Sequence, residues 1–456
     1  MRLASSFRDP HGFVFERDGV LYRQVNEVHE GHFDRFLASG LYSKLVDERL
    51  LVAHEEVPLE LAAEPGASRV VRPERLPFVS YPYEWGFLQL RDAALLTLRI
   101  QELALDHGMS LRDATAYNVS FWGSRPVFID TTSFEVLPEG RPWVAYRQFC
   151  EHFLAPLALM ALRDVRLGRL TRVWLDGVPL DLAADLLPAK ASLRPGLAMH
   201  LRLHARAQRK HAADLEPGGR GRSFSMQAFR GLISSLRSAV EGLAEPAGLS
   251  VWRDYYREAD HYTDEAARGK ARLVGGWLDS LEPGSVWDLG ANTGQFARLA
   301  SSSAIDTMAF DLDPFCVDEA YRQARAEHDE HLLPLVLDLA DPSPAMGWAN
   351  EERSTVFERG SADLVLALAL IHHVVIGRNV PLSAFAGLLA RMGRHAIVEW
   401  VPKDDPKVRV LLRDREDVFS DYTREGFEAA IQPSFEVMRT EPLPGSGRIM
   451  YLLRRR

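Results

Sequence analysis

The sequence predicts an α/β protein in which a C-terminal domain, built on a largely parallel sheet, follows an α+β N-terminal domain. From about residue 271 onward, apolar runs of strand type alternate with amphipathic helical runs, which is the pattern of a parallel sheet covered by helices. Residues 1 to 190 instead hold short segments in which apolar and polar residues alternate, followed by helical segments. At 456 residues the chain is too long for one ordinary core, so two or three domains are expected.

Seven strands can be assigned in the C-terminal block, with helical segments between most neighbours. They are SVWDLG, DTMAFDLD, LLPLVLDL, ADLVLALAL, RHAIVEWV, FEVMRTEPL and RIMYLLRR. The last two are joined only by PGSG, which permits a hairpin and is too short for a helical crossover. We therefore expect a seven-stranded sheet with an antiparallel last strand over 271–456, a helical connector and cofactor lid over 191–270, and a separate domain over 1–190.

Composition and charge narrow the class of protein. No run of eighteen apolar residues is present and the N-terminus lacks the apolar core of a signal peptide, so we expect a cytoplasmic protein without a membrane partner. Cys150 and Cys316 lack metal-site or disulfide spacing, and both are expected to be buried. The net charge of −9 disfavours a nucleic-acid partner, although a basic stretch at residues 199–213 keeps that alternative open.

The first strand of the C-terminal block runs into a turn that resembles a ligand-binding loop. Asp288 ends the strand, Gly290 and Gly294 flank the turn, and Asn292 lies between them. Glycine permits close backbone approach and positive φ, and Asn is the next best residue for a left-handed conformation. In a doubly wound sheet, the ligand lies over this first turn at the carboxyl ends of the strands.

Acidic residues follow at the ends of the next two strands. Asp311, with Leu312 beside it, closes the second strand, and Asp338 with Leu339 closes the third. An acid about 20 residues past the glycines accepts hydrogen bonds from ribose hydroxyls in dinucleotide sites. Five βα units closed by a hairpin, with these strand-end acids, resemble the Rossmann-like fold of class I S-adenosylmethionine-dependent methyltransferases.

The resemblance implies a cofactor, S-adenosylmethionine, and a place for each of these residues. It directs Asp288 toward the amino acid moiety of the cofactor, Asp311 toward the ribose, and Asp338 with Leu339 toward the edge of the adenine. In many relatives the helix before the first strand folds over the methionine end, so Tyr262 and Lys270 are candidate lid contacts. A nicotinamide dinucleotide is the rival cofactor, but DLGANTGQF lacks the third spaced glycine of that fingerprint.

The candidate catalytic residues follow the fourth and fifth strands. His372 and His373 lie in ALALIHHVVIG, and Glu399 lies in IVEWVPKDDP. Methylation of an oxygen needs alignment and a base, a role we assign as a hypothesis to His373. The NPPY-like tetrapeptide of many amino-methylating families is absent, so a small-molecule or glycan hydroxyl is the expected acceptor. Asp404 and Asp405 lack a third ligand at suitable spacing, so no metal is predicted.

The N-terminal block carries a second set of spaced polar residues. In GMSLRDATAYNVSFWGSRPVFIDTTSF, Asp113 is followed by Asn118 and then by Asp130 at the end of an apolar strand. This segment resembles the catalytic loop of the protein-kinase and aminoglycoside-phosphotransferase superfamily. In that superfamily the first Asp supplies a base, and the Asn and the later Asp bind metal. A DG hairpin at GFVFERDGVLYRQVN, a helix over 32–51 and an apolar helix at AALLTLRIQELAL follow the kinase order.

Two residues depart from that pattern. Only Gly12 stands where a kinase has several glycines, and Arg23 replaces the lysine that pairs with phosphates. Because Arg is not equivalent to Lys at a compact phosphate site, we expect a degenerate kinase-like domain used for substrate or partner binding. A bifunctional kinase-methyltransferase, a cofactor-binding scaffold without catalysis, and a chance match in an unrelated helical domain remain the alternatives. Kinase and methyltransferase modules also occur together, in reverse order, in enzymes that cap bacterial polysaccharides, and this resemblance carries the glycan expectation.

Overall fold

The computed structural model describes residues 2–203, 224–248, 264–413 and 415–456. It divides into an N-terminal unit, Met1–Phe121, Pro126–Gly248 and Ala345–Arg353, and a C-terminal unit, Trp122–Arg125, Leu249–Pro344 and Ser354–Arg456. This division differs from the three segments expected, because the described residues 191–203 and 224–248 group with the N-terminal unit instead of forming a connector. Tyr262 and the loop at residues 216–223 lie outside the described residues.

A four-stranded antiparallel sheet opens the described part of the N-terminal unit. Its strands are β1 (Gly12–Arg17), β2 (Val20–Asn26), β3 (His54–Val57) and β4 (Ala67–Pro73), in the order β1-β2-β4-β3. The predicted DG hairpin between β1 and β2 is confirmed. Asp18 and Gly19 have φ values of 53° and 76°, and positive φ at both positions is what a two-residue type I′ turn requires.

Helices follow this sheet. Where one helix was expected over 32–51, the structure has α1 (Glu30–Ala38) and α2 (Leu41–Asp47), because Gly40 adopts a φ of 78° and separates them. The predicted apolar helix is confirmed as α3 (Phe87–Asp106), which is buried along most of its length. Four short strands come next: β5 (Met109–Leu111), β6 (Val119–Trp122), β7 (Arg125–Phe128) and β8 (Phe134–Val136).

The remaining described part of the N-terminal unit is helical. It contains α4 (Tyr146–Phe149), a π-helical turn at Cys150–Leu154, α5 (Ala155–Leu162), α6 (Leu170–Val173), α7 (Leu180–Leu186), α8 (Pro195–Leu197), a second π-helical turn at Ala198–Leu203, and α9 (Met226–Glu241). Cys150 lies in the first π-helical turn, and both it and Cys316 are buried as predicted.

The C-terminal unit confirms the predicted seven-stranded sheet, all of whose strands lie within described residues. The strands are β9 (Ser285–Leu289), β10 (Asp306–Asp311), β11 (Leu332–Val336), β12 (Ala362–Ala367), β13 (Gly393–Trp400), β14 (Phe435–Pro442) and β15 (Ile449–Arg455). Their order is β11-β10-β9-β12-β13-β15-β14. Strands β9 to β13 run parallel, and β15 is antiparallel to both of its neighbours.

Helices alternate with these strands, and apolar side chains from both form the core. The helices are α10 (Asp264–Leu281), α11 (Ala297–Ser301), α12 (Pro314–Ala326), α13 (Ile371–Arg378), α14 (Leu382–Met392), α15 (Pro406–Leu412) and α16 (Arg424–Ile431). Val274 and Trp277 of α10 pack against buried residues of β9, β12 and β13. None of the helices in the described ranges combines the length and apolar character that a bilayer crossing needs.

Candidate functional site

A cavity of about 310 Å³ lies at the carboxyl ends of the parallel strands in the C-terminal unit. The strand order changes direction between β9 and β12, and such a switch point is where doubly wound sheets bind their ligands. Seven of the residues predicted to contact cofactor or acceptor line this cavity: Gly290, Asn292, Asp311, Leu312, Asp338, Leu339 and His373. The volume is within the range of small-molecule sites.

The turn after β9 has the left-handed backbone that its residues predicted. Gly290, Asn292 and Gly294 have φ values of 71°, 52° and 78°. A Cβ atom added at Gly290 would lie 3.0 Å from the Cδ1 atom of Leu370, so a side chain there would crowd the cavity wall. Gly294 shapes the turn but is not part of the cavity lining.

Asp311 ties this turn to the second strand. Its Oδ2 atom accepts a hydrogen bond from the backbone N–H of Asn292 at 2.7 Å, and its Oδ1 atom accepts one from Asp313 at 2.9 Å. Burial raises the pKa of Asp311 to about 6, although these backbone donors act in the opposite direction. The carboxylate is therefore held by the backbone in the cavity wall, where it can accept hydrogen bonds from ligand hydroxyls.

Asp288 is buried, with 2% of its surface exposed, and is not part of the cavity lining. Its Oδ2 atom has no hydrogen-bond partner among the described residues. Burial raises the pKa of Asp288 to about 7; the positive charge of Lys270 lowers it and the negative charge of Asp311 raises it. A buried carboxyl oxygen without a partner is costly, so this atom is suited to meet a cationic or hydrogen-bond-donating ligand group.

Lys270 and Glu399 take positions different from those expected at the lid and at the acceptor. The Lys270 ammonium lies 2.6 Å from the Glu399 carboxylate, and Arg448 binds the other Glu399 oxygen at 2.9 Å. Arg448 also contacts Asp405 at 2.8 Å. Lys270, Glu399 and Arg448 are buried and Asp405 is largely so, and neither Lys270 nor Glu399 lines the cavity. Arg448 has no sequence signal of this role, since it precedes a strand like many other basic residues.

The two histidines differ in their surroundings. His372 is completely buried, and both of its ring nitrogens are without a hydrogen-bond partner in the described part of the chain. His373 lines the cavity, and the two ring centroids are 4.0 Å apart. Burial, together with the nearby charges of Lys407 and Arg448, lowers the pKa of His373 to about 4. The imidazole of His373 is therefore neutral at neutral pH, the form that a base requires, although this low pKa makes it a weak base.

Asp338 is placed at the far side of the same cavity. Its Oδ1 atom accepts a hydrogen bond from the backbone N–H of Ala340 at 3.0 Å, and its Oδ2 atom lies 3.3 Å from the guanidinium of Arg378, which also lines the cavity. The backbone beside it at Leu339 and Ala340 completes this wall. Arg378 was not anticipated from the sequence, because a basic residue at the last turn of a helix is usual.

A second cavity, of about 350 Å³, lies within the N-terminal unit, and we call it the N-terminal cleft. Arg23, Asp113, Asn118 and Asp130, which the sequence grouped as a kinase-like site, all line it. Asp113 accepts a hydrogen bond from the backbone N–H of Thr115 at 3.0 Å, and burial together with nearby Asp130 raises its pKa. Among the described residues, no cluster of three or more His, Cys, Asp or Glu side chains is arranged to hold a metal ion.

Asp130 is surrounded by hydrogen-bond donors. Arg23 forms a short ion pair with its Oδ1 atom, and the hydroxyl of Thr132 donates to the same oxygen at 2.8 Å. The hydroxyl of Ser133 donates to Oδ2 and itself accepts a hydrogen bond from the Asn118 amide at 3.0 Å. Burial alone raises the pKa of Asp130, but Arg23 and the two hydroxyls outweigh it, so the net pKa is below the usual value.

Residues that the sequence did not point to complete the cleft. Glu352, which belongs to the N-terminal unit, accepts two hydrogen bonds from Arg8 at 2.7 and 2.9 Å, across 344 positions of sequence. The guanidinium of Arg353 lies 4.1 Å from the centre of the Tyr117 ring. No local pattern could have connected these residues with the loop that carries Asp113, because only the folded chain brings them to one wall.

Comparison with known proteins identifies the family. No protein-family profile matches the chain. The chain is 37% identical over 461 residues to the nodulation protein NoeA of Rhizobium meliloti (strain 1021), which covers 100% of this chain and 96% of that protein. The chain belongs to the NoeA family. The relationship extends over both units, so it includes the N-terminal cleft as well as the cavity of the C-terminal unit.

Solved structures are similar to part of this NoeA-family chain. Magnesium protoporphyrin IX methyltransferase (ChlM) from Synechocystis PCC 6803 with bound SAH is 19% identical, and the match covers 45% of this chain and 98% of that chain at a TM-score of 0.31. The N-methyltransferase NodS from Bradyrhizobium japonicum WM9 is 11% identical, and the match covers 42% of this chain and 97% of that chain at a TM-score of 0.32. At these TM-scores, the likeness supports no functional conclusion.

Proposed function

We propose that this NoeA-family protein is a methyltransferase that uses S-adenosylmethionine bound in the C-terminal unit. The observation that carries the proposal is the cavity at the switch point between β9 and β12, lined by residues that follow successive strands. The acceptor is proposed to be a hydroxyl of a small molecule or glycan. The N-terminal unit is proposed to be a kinase-like domain that binds substrate or a partner.

The residues of the cavity fit the cofactor. Asp311 offers a carboxylate to ribose hydroxyls, and the backbone at Asp338 and Leu339 offers polar groups to an adenine edge. Gly290 leaves space where a side chain would meet Leu370. Asp288 is not part of the lining, but its buried Oδ2 atom has no partner among the described residues and is the proposed acceptor for the α-ammonium of the methionine moiety. The bound cofactor would supply a methyl group attached to a positively charged sulfur.

A nicotinamide dinucleotide fits the same turn less well. Its diphosphate would have to lie against the backbone of the turn, where Asp288 and Asp311 are both buried carboxyl groups. Burying like charges close together is unfavourable. The pKa values of both carboxyl groups are raised, chiefly because burial disfavours their ionised forms. The α-ammonium and the sulfonium of S-adenosylmethionine would bring positive charge to these carboxyl groups, whereas a diphosphate would bring further negative charge.

His373 is the proposed base for the acceptor hydroxyl. It is the residue of the predicted catalytic set, His372, His373 and Glu399, that lines the cavity. Methyl transfer requires a line between the acceptor oxygen, the methyl group and the sulfur, so the cavity wall contributes chiefly by alignment. His372 packs behind His373, and Glu399 holds Lys270 and Arg448, so these two are proposed to position the site without touching the acceptor.

The kinase-like assignment of the N-terminal unit rests on order and geometry together. The hairpin of β1 and β2, the helices that follow it, and the loop after α3 occur in the order that the resemblance implies, and Asp113, Asn118 and Asp130 line one cleft. A bifunctional enzyme that phosphorylates and methylates one acceptor is the second candidate, favoured by the shared position of these three residues. It requires magnesium-dependent ATP binding that Asp130→Ala abolishes.

Calorimetry on the full-length protein with S-adenosylhomocysteine tests the cofactor. We expect binding that weakens at least about tenfold in Asp311→Asn, because charge-assisted hydrogen bonds contribute about 1.5–3 kcal/mol each. Asp306→Asn is the matched control: Asp306 begins the same strand, pairs with His331 and lies outside the cavity lining. Tight binding of a nicotinamide dinucleotide, with no heat from S-adenosylhomocysteine, would contradict the proposal.

The acceptor class is tested separately with radiolabelled S-adenosylmethionine in cell extracts. We expect label in small molecules or glycans after protein and RNA have been removed. Label found only in protein or RNA would show that the acceptor class is wrong while leaving the cofactor assignment intact. Cofactor binding without any labelled product would favour a scaffold that binds the cofactor without turning it over.

A further inference from the structure

The charged residues of the N-terminal cleft pair with one another. Arg23 pairs with Asp130, and their side chains are only 12% and 14% exposed. Arg8 binds Glu352 through two hydrogen bonds, as described above. Arg112, beside the cleft, binds Asp9 of the lining at 2.7 Å. A ligand entering this cleft therefore meets charges that are already compensated within the wall.

The coordination of Asp130 leaves little room for a metal ion. A carboxylate offers about four lone-pair positions. Four donors already approach the two oxygens of Asp130: the Arg23 guanidinium and the hydroxyl and backbone N–H of Thr132 all reach Oδ1, and the hydroxyl of Ser133 reaches Oδ2. Oδ1 is therefore fully engaged, and Oδ2 keeps one lone-pair position. The Asn118 amide, the second candidate metal ligand, donates to Ser133 instead of presenting its own oxygen to the same place. Mg²⁺ requires near-octahedral oxygen ligands at short distances.

We propose that Arg23 is a built-in cation of the N-terminal cleft: it takes the place at Asp130 that a divalent metal ion would need, and the cleft binds an uncharged, hydroxyl- or amide-bearing ligand without metal. The guanidinium stays charged at every accessible pH, so this cation is permanent. A divalent ion bound at the Asp130 carboxylate would be repelled by the Arg23 guanidinium at close range. The proposal rests on the binding role proposed for the N-terminal unit and is independent of methyl transfer.

The remaining polar lining supports this ligand class. It consists largely of hydroxyl and amide side chains, including Ser6, Ser80, Tyr81, Thr115 and Gln148. Asp113 adds a carboxyl group whose oxygen already accepts one backbone N–H and can accept a ligand hydroxyl as well. Phosphate groups bridged by a metal have no comparable partner here, because the arginines of the lining are engaged by carboxylates. Neutral hydroxyl groups can both donate to and accept from such a wall.

Paramagnetic resonance with Mn²⁺ tests the role of Arg23 on the full-length protein. We expect no Mn²⁺ site dependent on Asp130 in the wild-type protein. In Arg23→Ala we expect a new site that binds Mn²⁺ at least about tenfold more tightly than any residual binding by the wild-type protein, because the freed carboxylate gains oxygen positions for a metal. The new site should disappear in the double variant Arg23→Ala/Asp130→Asn. Arg72→Ala is the control, since Arg72 pairs with Glu55 on exposed surface of the same sheet.

Two outcomes would overturn the proposal. One is a wild-type Mn²⁺ site that Asp130→Asn removes, and the other is an Arg23→Ala variant that folds and gains no site. Circular dichroism shows whether Arg23→Ala folds; if it does not, Arg23→Gln keeps a hydrogen-bond donor at Asp130 while removing the charge. A failure of methyl transfer would leave these results unchanged, so the two proposals are tested separately.

Saturation-transfer NMR tests the ligand class with glucose and N-acetylglucosamine, which offer hydroxyls and hydroxyls with an amide. We expect signals from at least one sugar in metal-free buffer containing a chelator, and their loss in Asn118→Ala, which alters the cleft but not the cavity of the C-terminal unit. No response to either sugar would refute the ligand class. Binding of ATP that depends on Mg²⁺ and on Asp130 would refute the metal-free site.

Discussion

Binding of the cofactor should be linked to ionisation of Asp288. In the unliganded protein, burial raises the pKa of Asp288 to about 7, so the group is about half protonated at neutral pH. The ion pairs beside it are already balanced, with Lys270 and Arg448 facing Glu399 and Asp405. With its α-ammonium directed at Asp288 and its α-carboxylate directed away, the zwitterionic amino acid moiety of S-adenosylhomocysteine favours the ionised form of Asp288 and lowers its pKa in the complex.

The expected magnitude follows from the ionised fraction. For a pKa near 7, about a tenth of Asp288 is ionised at about pH 6 and about three quarters at about pH 7.5. If the complex requires the ionised form, affinity rises about eightfold over that interval, and about half a proton is released per ligand at neutral pH. The sign is fixed: raising pH deprotonates Asp288 and strengthens its interaction with the α-ammonium of the ligand.

Isothermal titration in two buffers of different ionisation enthalpy measures both the affinity and the proton release. Asp288→Asn should bind more weakly at about pH 7.5 and lose the pH dependence centred near 7, while a smaller dependence near 6 from Asp311 remains. Affinity that is constant over the interval, or that rises on acidification, would refute the reasoning. So would an Asp288→Asn variant that keeps the wild-type pH profile.

Three further predictions concern the cavity and the buried ion pairs. Gly290→Val should retain the fold but weaken S-adenosylhomocysteine binding at least about tenfold by calorimetry, because a side chain at positive φ crowds the cavity wall; wild-type affinity would contradict this. His373→Ala should lower kcat about 10²- to 10⁴-fold with unchanged cofactor affinity. His395→Ala, which lies outside the lining, should leave kcat unchanged. Full turnover by His373→Ala across the pH range would show that His373 is not the base. Glu399→Gln should lower the free energy of unfolding by about 3–5 kcal/mol, because it removes the buried carboxylate that lies between the cations of Lys270 and Arg448. Glu436→Gln, in an exposed pair, should change it by less than about 1 kcal/mol, and equal effects in urea unfolding would be inconsistent with the buried network.

The C-terminal fold was predictable because its signals are local. Each strand from β9 to β13 is a short run of buried apolar residues between turn-forming segments, and a parallel sheet covered on both faces produces that pattern. The antiparallel arrangement of β14 and β15 followed from four residues, PGSG, which cannot contain a helix. The turn at Gly290 and Asn292 was predictable for the same reason, since positive φ depends on residue type.

Pairings between distant residues were not predictable from the sequence. From the sequence, Lys270 was expected to be a lid contact and Glu399 an acid on the acceptor side. The fold instead brings the two side chains together in the core. Arg448 reaches Glu399 across 49 positions, and nothing in the sequence around it distinguishes it from the other basic residues near β15. Charge pairs of this kind depend on the register of helix against sheet, which is a property of packing and not of local composition.

Arg23 shows how a departure from a motif can be misjudged when it is considered alone. As a replacement for lysine at a phosphate site, it indicates loss of function. In the structure, the same residue neutralises Asp130, which lies among four donors and would otherwise be a half-buried charge without a cationic partner. A decayed site would not need this compensation, because Asp130 itself could be replaced by an uncharged residue. The pair of Arg23 and Asp130 therefore favours a cleft that still binds a ligand over one that has merely lost its metal.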